Sequence, residues 1–217
     1  MSKNRFAASF VAFLLVATFL FADDLLQLAS KGTPAQIESA IKAGAKVNAR
    51  SPDGLTALMM AASANTDPGA ISVLVKAGAD VNENSLMGLT ALMYAAQWNA
   101  NPEVILELLK ARANIYEQDI SGETALMYAA QHSANVKIIS LLLNAGAKVN
   151  DRTASGVTAL MFAAQSNTNP EVISVLLKAG ANGKLKSDDG KTAFDYAAEN
   201  EILRRSSQYR DLDSARY

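Results

Sequence analysis

The residues that could perform acid–base or nucleophilic chemistry are few in this chain of 217 residues. It has no cysteine and one histidine, His132, so disulfides, thiolate sites and multi-histidine metal sites are excluded. His132 beside a carboxylate could act as a general base. A lone histidine is more often a contact residue, and the sequence has no motif of a serine hydrolase, phosphate-binding loop, dinucleotide site or zinc protease.

Two acidic turns raise the question of calcium. They are Asp188-Asp189-Gly190 and Ser51-Pro52-Asp53-Gly54. A calcium loop needs several further oxygen ligands at close spacing. Neither turn has them, and Asp, Pro and Gly are ordinary turn residues. We therefore expect no catalytic residue, no metal and no cofactor.

The charge balance argues against nucleic acid as a partner. Lys and Arg number 20 and Asp and Glu 21, which gives a formal net charge of −1. Without residues 1–22 the balance is 18 against 21, or −3. A nucleic-acid-binding domain needs a basic surface that displaces counterions from phosphate. Nothing in this balance marks a membrane-surface domain either.

The first 22 residues have the layout of a secretory signal peptide. Lys3 and Arg5 form a basic start, residues 6–22 carry no charge, and Ala22 precedes Asp23-Asp24. A basic segment, an apolar segment and a small residue at the cut are the parts of such a signal. We expect cleavage after Ala22 and a periplasmic or secreted mature chain. An uncleaved anchor stays open, because 17 uncharged residues can just span a bilayer.

The rest of the chain repeats with a period of 34 residues. Five segments share a Gly-x-Thr start and an alanine-rich continuation, and they read DGLTALMMAAS, MGLTALMYAAQ, SGETALMYAAQ, SGVTALMFAAQ and DGKTAFDYAAE. A second motif, Lys76 to Asn82, recurs at Asn144 to Asn150, and a copy at Lys42 to Asn48 precedes the first Gly-x-Thr. Repeats of this length are typical of stacked units that cannot bury their apolar faces alone.

Each unit predicts two short helices. The Gly takes a positive φ in a turn, and the Thr caps the first helix. A second start follows, as in Asn101-Pro102-Glu103, with Asn as the cap and Pro at the first helical position. The second helix ends in Lys-Ala-Gly, where the cation lies near the negative helix end and Gly adopts the left-handed conformation.

These motifs, T-A-L-M-x-A-A followed by L-L-x-A-G-A-x-V-N, resemble the ankyrin repeat. The resemblance implies an all-α ankyrin-repeat solenoid of about six helix-turn-helix units with β-turn or hairpin tips. It covers residues 23–217 as one ankyrin repeat domain. The units are expected at about 23–50, 51–84, 85–118, 119–152, 153–186 and 187–217.

The sequence departs from the family pattern at particular positions. The family's interunit His is replaced by Met59, Met93, Met127, Met161 and Asp195, which predicts apolar stacking in place of a polar tie. Arg112 stands where the other units have the helix-stopping Gly, which predicts left-handed strain at that residue. The polar C-terminal residues 201–217 are interpreted as a capping unit with a frayed tail.

The resemblance places binding residues on the turn tips and on the outward positions of the first helices. There the side chains vary between units and include apolar groups that the scaffold does not need. The candidate partner-binding residues are Leu86, Met87, Leu89, Tyr94, Trp98, Ile120, Glu123, Tyr128, His132, Val157 and Phe162. For Tyr94, Tyr128 and Phe162, packing between units remains an equal alternative.

The favoured function is non-enzymatic. We expect a monomer that docks a protein partner on its concave face, outside the cytoplasm, and protects, inhibits or positions that partner. Two alternatives stay open. One is an envelope enzyme that uses His132 with a nearby carboxylate, and the other is a structural spacer tethered by an uncleaved N-terminal anchor.

Overall fold

A computed structural model describes residues 25–217 as a stack of short helices in pairs. The predicted signal peptide and its cleavage site lie outside these residues. The helices are α1 (25–31), α2 (Pro34–Lys42), α3 (Ala57–Ala64), α4 (Pro68–Lys76), α5 (Ala91–Trp98), α6 (Pro102–Lys110), α7 (Ala125–His132), α8 (Val136–Asn144), α9 (Ala159–Ser166), α10 (Glu171–Lys178), α11 (Ala193–Tyr196), α12 (Glu201–Arg204) and α13 (Gln208–Ala215). Residues 25–217 contain no strand, so the all-α solenoid is confirmed.

The helices form two rows. The first helices of the units, α3, α5, α7, α9 and α11, stack in one row, and the second helices stack in the other. The first-helix row packs more closely, because its buried positions are largely alanine, as at Ala61, Ala62, Ala95 and Ala96. The apolar core lies between the rows and runs the length of the stack.

The first helices begin where the sequence predicts. Thr56, Thr90, Thr124, Thr158 and Thr192 are their N-caps, and each side chain accepts a hydrogen bond from the backbone N–H three residues on. The methionines at the family's His position are buried, with Met59, Met93, Met127 and Met161 each 1% exposed. The predicted apolar stacking is therefore what the structure shows at that position.

The second helices begin at the predicted Pro in most units. Asn101 accepts a hydrogen bond from the Glu103 N–H at 3.0 Å, with Pro102 as the first helical residue. In α10 the helix begins one residue later, at Glu171, and Pro170 precedes it with helical dihedral angles. Asn169 still accepts from the Glu171 N–H at 3.1 Å, so the cap is retained and only the helix boundary differs from the prediction.

The second helices α2, α4, α8 and α10 end in a left-handed glycine, at Gly44, Gly78, Gly146 and Gly180. In α6 the equivalent residue is Arg112, with φ 66°. It is the only non-glycine residue with positive φ among residues 25–217. The strain predicted for Arg112 is therefore present.

Replacing Arg112 by Gly is expected to raise the free energy of unfolding by about 1 kcal/mol, since Gly has no Cβ to oppose a left-handed φ. Urea unfolding followed by far-UV circular dichroism measures the change. The matched control is Gly78→Ala, where a Cβ would meet no atom within 4 Å and φ is +91°. The free energy of unfolding of Gly78→Ala should fall by about as much as that of Arg112→Gly rises. Equal stability of all three proteins would contradict the assignment of strain.

The C-terminal residues form a packed cap. Leu203 and Leu212 are buried, and α13 lies against α10 and α11. The Phe194 and Tyr209 rings lie 4.8 Å apart, and the Arg216 guanidinium lies 4.2 Å from the Phe194 centroid. The capping interpretation therefore holds, whereas the expectation of a frayed tail is wrong, because apolar residues anchor the last helix.

No helix within residues 25–217 is long and apolar enough to cross a membrane. Over the same residues, no group of three or more Asp, Glu or His side chains could hold a metal ion.

Candidate protein-binding surface

The turn tips of successive units are joined by backbone hydrogen bonds. The N–H groups of Leu86, Ile120, Ala154 and Asp188 each donate to a carbonyl of the preceding tip, at 3.0 to 3.3 Å. Each tip turns at a glycine of positive φ. At Gly122 a Cβ would lie 2.9 Å from the Ala154 nitrogen, so the next tip can approach this closely only because the residue is glycine.

Three apolar side chains stand out from two adjacent tips. Leu86 is 69% exposed, Met87 55% and Ile120 65%, and we call these three residues the tip cluster. The structure therefore brings together the most exposed of the predicted tip residues. Leu89 and Val157 differ from them, because both are partly buried against the core.

Tyr128 and Glu123 belong more to the scaffold than to an open surface. Tyr128 is 8% exposed, and its hydroxyl donates a hydrogen bond of 2.8 Å to the Asp119 carboxylate. Burial and the adjacent carboxylates raise the pKa of Tyr128 above its ordinary value. Burial, together with Asp119, also raises the pKa of Glu123. Placing Tyr128 on the open binding face is thus corrected, since its ring is buried and its hydroxyl is bonded to Asp119.

Tyr94 and Phe162 take an intermediate position. Both occupy the same place in their helices as Tyr128, and both are partly buried against the core. Both side chains keep a partial exposure, so they can extend a contact surface on the first helices.

Trp98 and His132 form an exposed ring pair at the C-terminal ends of α5 and α7. Their ring centroids lie 6.0 Å apart with an interplanar angle of 20°, and Trp98 is 64% exposed. Partial burial lowers the pKa of His132, which favours the neutral imidazole at neutral pH. The 34-residue spacing of these residues places them side by side, as the sequence predicts.

A groove of about 250 Å³ lies beside this ring pair. It is lined from one unit by Gln97, Trp98, Asn99 and Ala100, and from the next by His132, Ser133, Ala134 and Asn135. We call it the end groove. None of its lining residues is Asp or Glu, so it offers His132 no carboxylate partner.

The tip cluster and the ring pair lie at opposite ends of the first helices. The tips precede the N-termini of α5 and α7, and the rings follow at the C-termini. An eight-residue helix is about 12 Å long. The sequence-predicted residues therefore form two apolar patches on units three and four, with Tyr94 between them.

A ladder of buried asparagines joins the units near the end groove. The side-chain amide of Asn99 donates to the Ala62 and Asn65 carbonyls of the preceding unit, at 2.9 Å each. Asn65, Asn167 and Asn200 make the equivalent pair of bonds. These four residues are the inner amide ladder. Sequence reasoning missed it, although the recurrence of Asn directly after the first helix was a visible signal.

The inner amide ladder is interrupted between units three and four. The equivalent residue there is Ser133, whose hydroxyl accepts a hydrogen bond from the Asn135 N–H at 3.2 Å. It makes no bond to the carbonyls of Ala96 and Asn99, which accept no hydrogen bond from residues 25–217. The interruption lies in the lining of the end groove.

A second ladder is interrupted at the same pair of units. Asn48, Asn82 and Asn150 each donate to the carbonyl of the helix-stopping residue in the next unit, at 2.9, 3.5 and 3.0 Å. The equivalent residue in unit three is Tyr116, which is 54% exposed and lies 5.5 Å below the Lys148 ammonium. Tyr116 was absent from the predicted site. Units three and four thus share fewer amide bridges than their neighbours.

A helical repeat solenoid with exposed apolar patches on adjacent units belongs to the class of proteins that bind partners along a stacked surface. The family model for ankyrin repeats (three copies) matches residues 25–119, 70–153, 99–187 and 126–206. The chain therefore belongs to the ankyrin-repeat family, whose members are protein–protein interaction modules and generally non-enzymatic. No curated protein matches the chain.

Proposed function

We propose that this protein docks a protein partner across units three and four, on the first-helix side of the stack, and does so outside the cytoplasm. The observation that carries the docking proposal is the pairing of two exposed apolar patches, the tip cluster and the Trp98–His132 ring pair, on the same two units. The close packing of the first-helix row supports the proposal that this side is the concave one.

The chemistry of the two patches suits a protein surface. Exposed Trp, Leu, Ile and Met side chains are anchors that gain free energy when a partner removes them from water. Polar residues surround them, including Asp119 and Gln97. An apolar centre with a polar rim is the usual anatomy of a protein interface. Docking on this surface is proposed to protect, inhibit or position the partner.

Site-specific photo-crosslinking tests the docking surface. We expect p-benzoylphenylalanine at Met87 to crosslink one major partner in cells that produce the full chain. The matched control is the same group at Lys178, which is exposed at the end of α10 in the second-helix row. A partner crosslinked equally from both positions, or from Lys178 alone, would rule out the proposed surface.

Export is proposed from residues 1–22, whose basic start, uncharged run and terminal Ala22 favour a cleaved signal peptide. We expect the intact mass of protein from the envelope or medium to correspond to a chain that begins at Asp23. A full-length chain in the membrane fraction would instead favour the tethered spacer. Full-length protein confined to the cytosol would contradict export.

A further inference from the structure

The interruption at Ser133 leaves two acceptors without a ladder amide, the carbonyls of Ala96 and Asn99, and Asn99 lines the end groove. In each neighbouring interface the two equivalent carbonyls receive both N–H bonds from one asparagine nitrogen, as Asn99 supplies to Ala62 and Asn65. The carbonyls of Ala96 and Asn99 have no such donor among residues 25–217. Buried carbonyls are nearly always paired, so these two define a receptor for a donor group.

The requirements on that donor can be read from the other interfaces. It must present two N–H groups to a pair of carbonyls, as the asparagine amide does. The donor group needs no acceptor atom of its own, because the Asn135 N–H already donates to the Ser133 hydroxyl. The acceptors lie at the C-terminal end of α5, where the helix dipole is negative and favours a positive charge.

We propose that the end groove binds an arginine side chain of the docked protein, whose guanidinium replaces the missing ladder amide at the Ala96 and Asn99 carbonyls. This deepens the proposed docking function and rests on it for its biological partner. The guanidinium supplies paired N–H donors and a positive charge. Its plane also suits contact with the indole of Trp98, which lines the same groove.

Arginine fits these surroundings better than the other donor side chains. A lysine ammonium has the charge but no plane to stack on a ring, and a glutamine amide has the donors but no charge. No Lys or Arg lines the groove to repel a cation. His132 is the one titratable residue in its lining, and burial holds its pKa below the usual range.

Binding can be measured without the natural partner. Blocked tripeptides acetyl-Gly-Xaa-Gly-amide, with Xaa as Arg, citrulline, Lys or Leu, are titrated into the full chain. Trp98 is the only tryptophan, so its fluorescence reports the groove. We expect the arginine peptide to bind at least about tenfold more tightly than the leucine peptide, as a charge-assisted hydrogen bond provides. The lysine peptide and the peptide with citrulline, the uncharged isostere of arginine, should bind with intermediate affinities.

The backbone offers a second readout at the two acceptors. The amide nitrogens of Gln97 and Ala100 are bonded to the carbonyl carbons of Ala96 and Asn99. In ¹⁵N-resolved NMR spectra, the arginine peptide should change the chemical shifts of these two nitrogens, and the leucine peptide should leave them unchanged. A peptide that contacted only the Trp98 ring would not change these two chemical shifts selectively.

Ser133→Asn is the decisive variant, because it restores the ladder amide and occupies both carbonyls. We expect it to weaken arginine-peptide binding by at least about tenfold. The matched control, Ser133→Ala, leaves the carbonyls open and should bind within about twofold of the natural protein. Circular dichroism confirms that both variants are folded.

Three results would overturn the arginine assignment. They are equal binding of the arginine and leucine peptides, equal binding of arginine and lysine, and undiminished binding by Ser133→Asn. If one of these results is obtained but a partner is still crosslinked at Met87, the docking surface stands and only the arginine site in the groove is excluded. Arginine-peptide binding without a crosslinked partner would remove the docking surface instead.

Discussion

Replacing Asn167 by Ser is expected to lower the free energy of unfolding by about 2–6 kcal/mol, because two buried carbonyls lose their donors at about 1–3 kcal/mol each. Asn167 donates to the Ala130 and Ser133 carbonyls at 2.7 and 2.9 Å. The replacement gives unit five the residue that unit four already has, so it reproduces a local structure that the chain tolerates. Urea unfolding monitored at 222 nm (the helical band) measures the loss.

The reciprocal change should stabilise the stack. Ser133→Asn supplies the missing pair of bonds to Ala96 and Asn99, and we expect a gain of about 1–2 kcal/mol, the net value of two buried hydrogen bonds. The gain should be smaller than the loss at Asn167.

Asn84→Ser is the matched control for the change in side chain. Asn84 is exposed, and its side chain makes no hydrogen bond with residues 25–217, although its backbone carbonyl is contacted by Arg50. The variant should remain within about 0.5 kcal/mol of the natural protein. If Asn84→Ser and Asn167→Ser cost the same, the inner amide ladder has no stabilising role.

The sequence was sufficient to predict features that repeat within one unit. Gly54 and Thr56 and their equivalents recur at a fixed interval and act through their own backbone, so turn, cap and helix start could all be predicted. Arg112 could be predicted for the same reason, because a residue that replaces a left-handed glycine inherits its φ. Local rules were enough where the physical cause is local.

Features that depend on the contact between units were harder to predict. Asn99 bonds to carbonyls 34 and 37 residues away, and no single unit shows why Asn is needed. Tyr128 and Tyr94 occupy equivalent positions, yet Tyr128 is buried through its bond to Asp119 and Tyr94 is not. Unlike the asparagine bonds, this difference arises within one unit, because Asp119 lies in the tip that precedes the Tyr128 helix, and the helical pattern alone does not reveal it.

The two apolar patches lead to the prediction with the largest expected effect on function. Met87→Ala combined with Trp98→Ala should weaken partner binding at least about thirtyfold, since truncating an interface anchor costs about 2 kcal/mol or more. Each change removes the centre of one patch. Titration of the crosslinked partner, once purified, into the full chain and the double variant measures the loss.

The double variant should remain folded, because both side chains are more than half exposed and such substitutions cost little stability. Ile202→Ala is the matched control, since Ile202 is also exposed but lies on α12 in the C-terminal cap, and its binding should be unchanged. An apolar interface with one buried guanidinium should also bind with only a mild dependence on salt. Undiminished binding by the double variant would exclude both patches. A steep loss of binding between low and physiological salt would shift the site towards the arginine-bearing C-terminal cap, where Arg204, Arg205 and Arg210 are exposed.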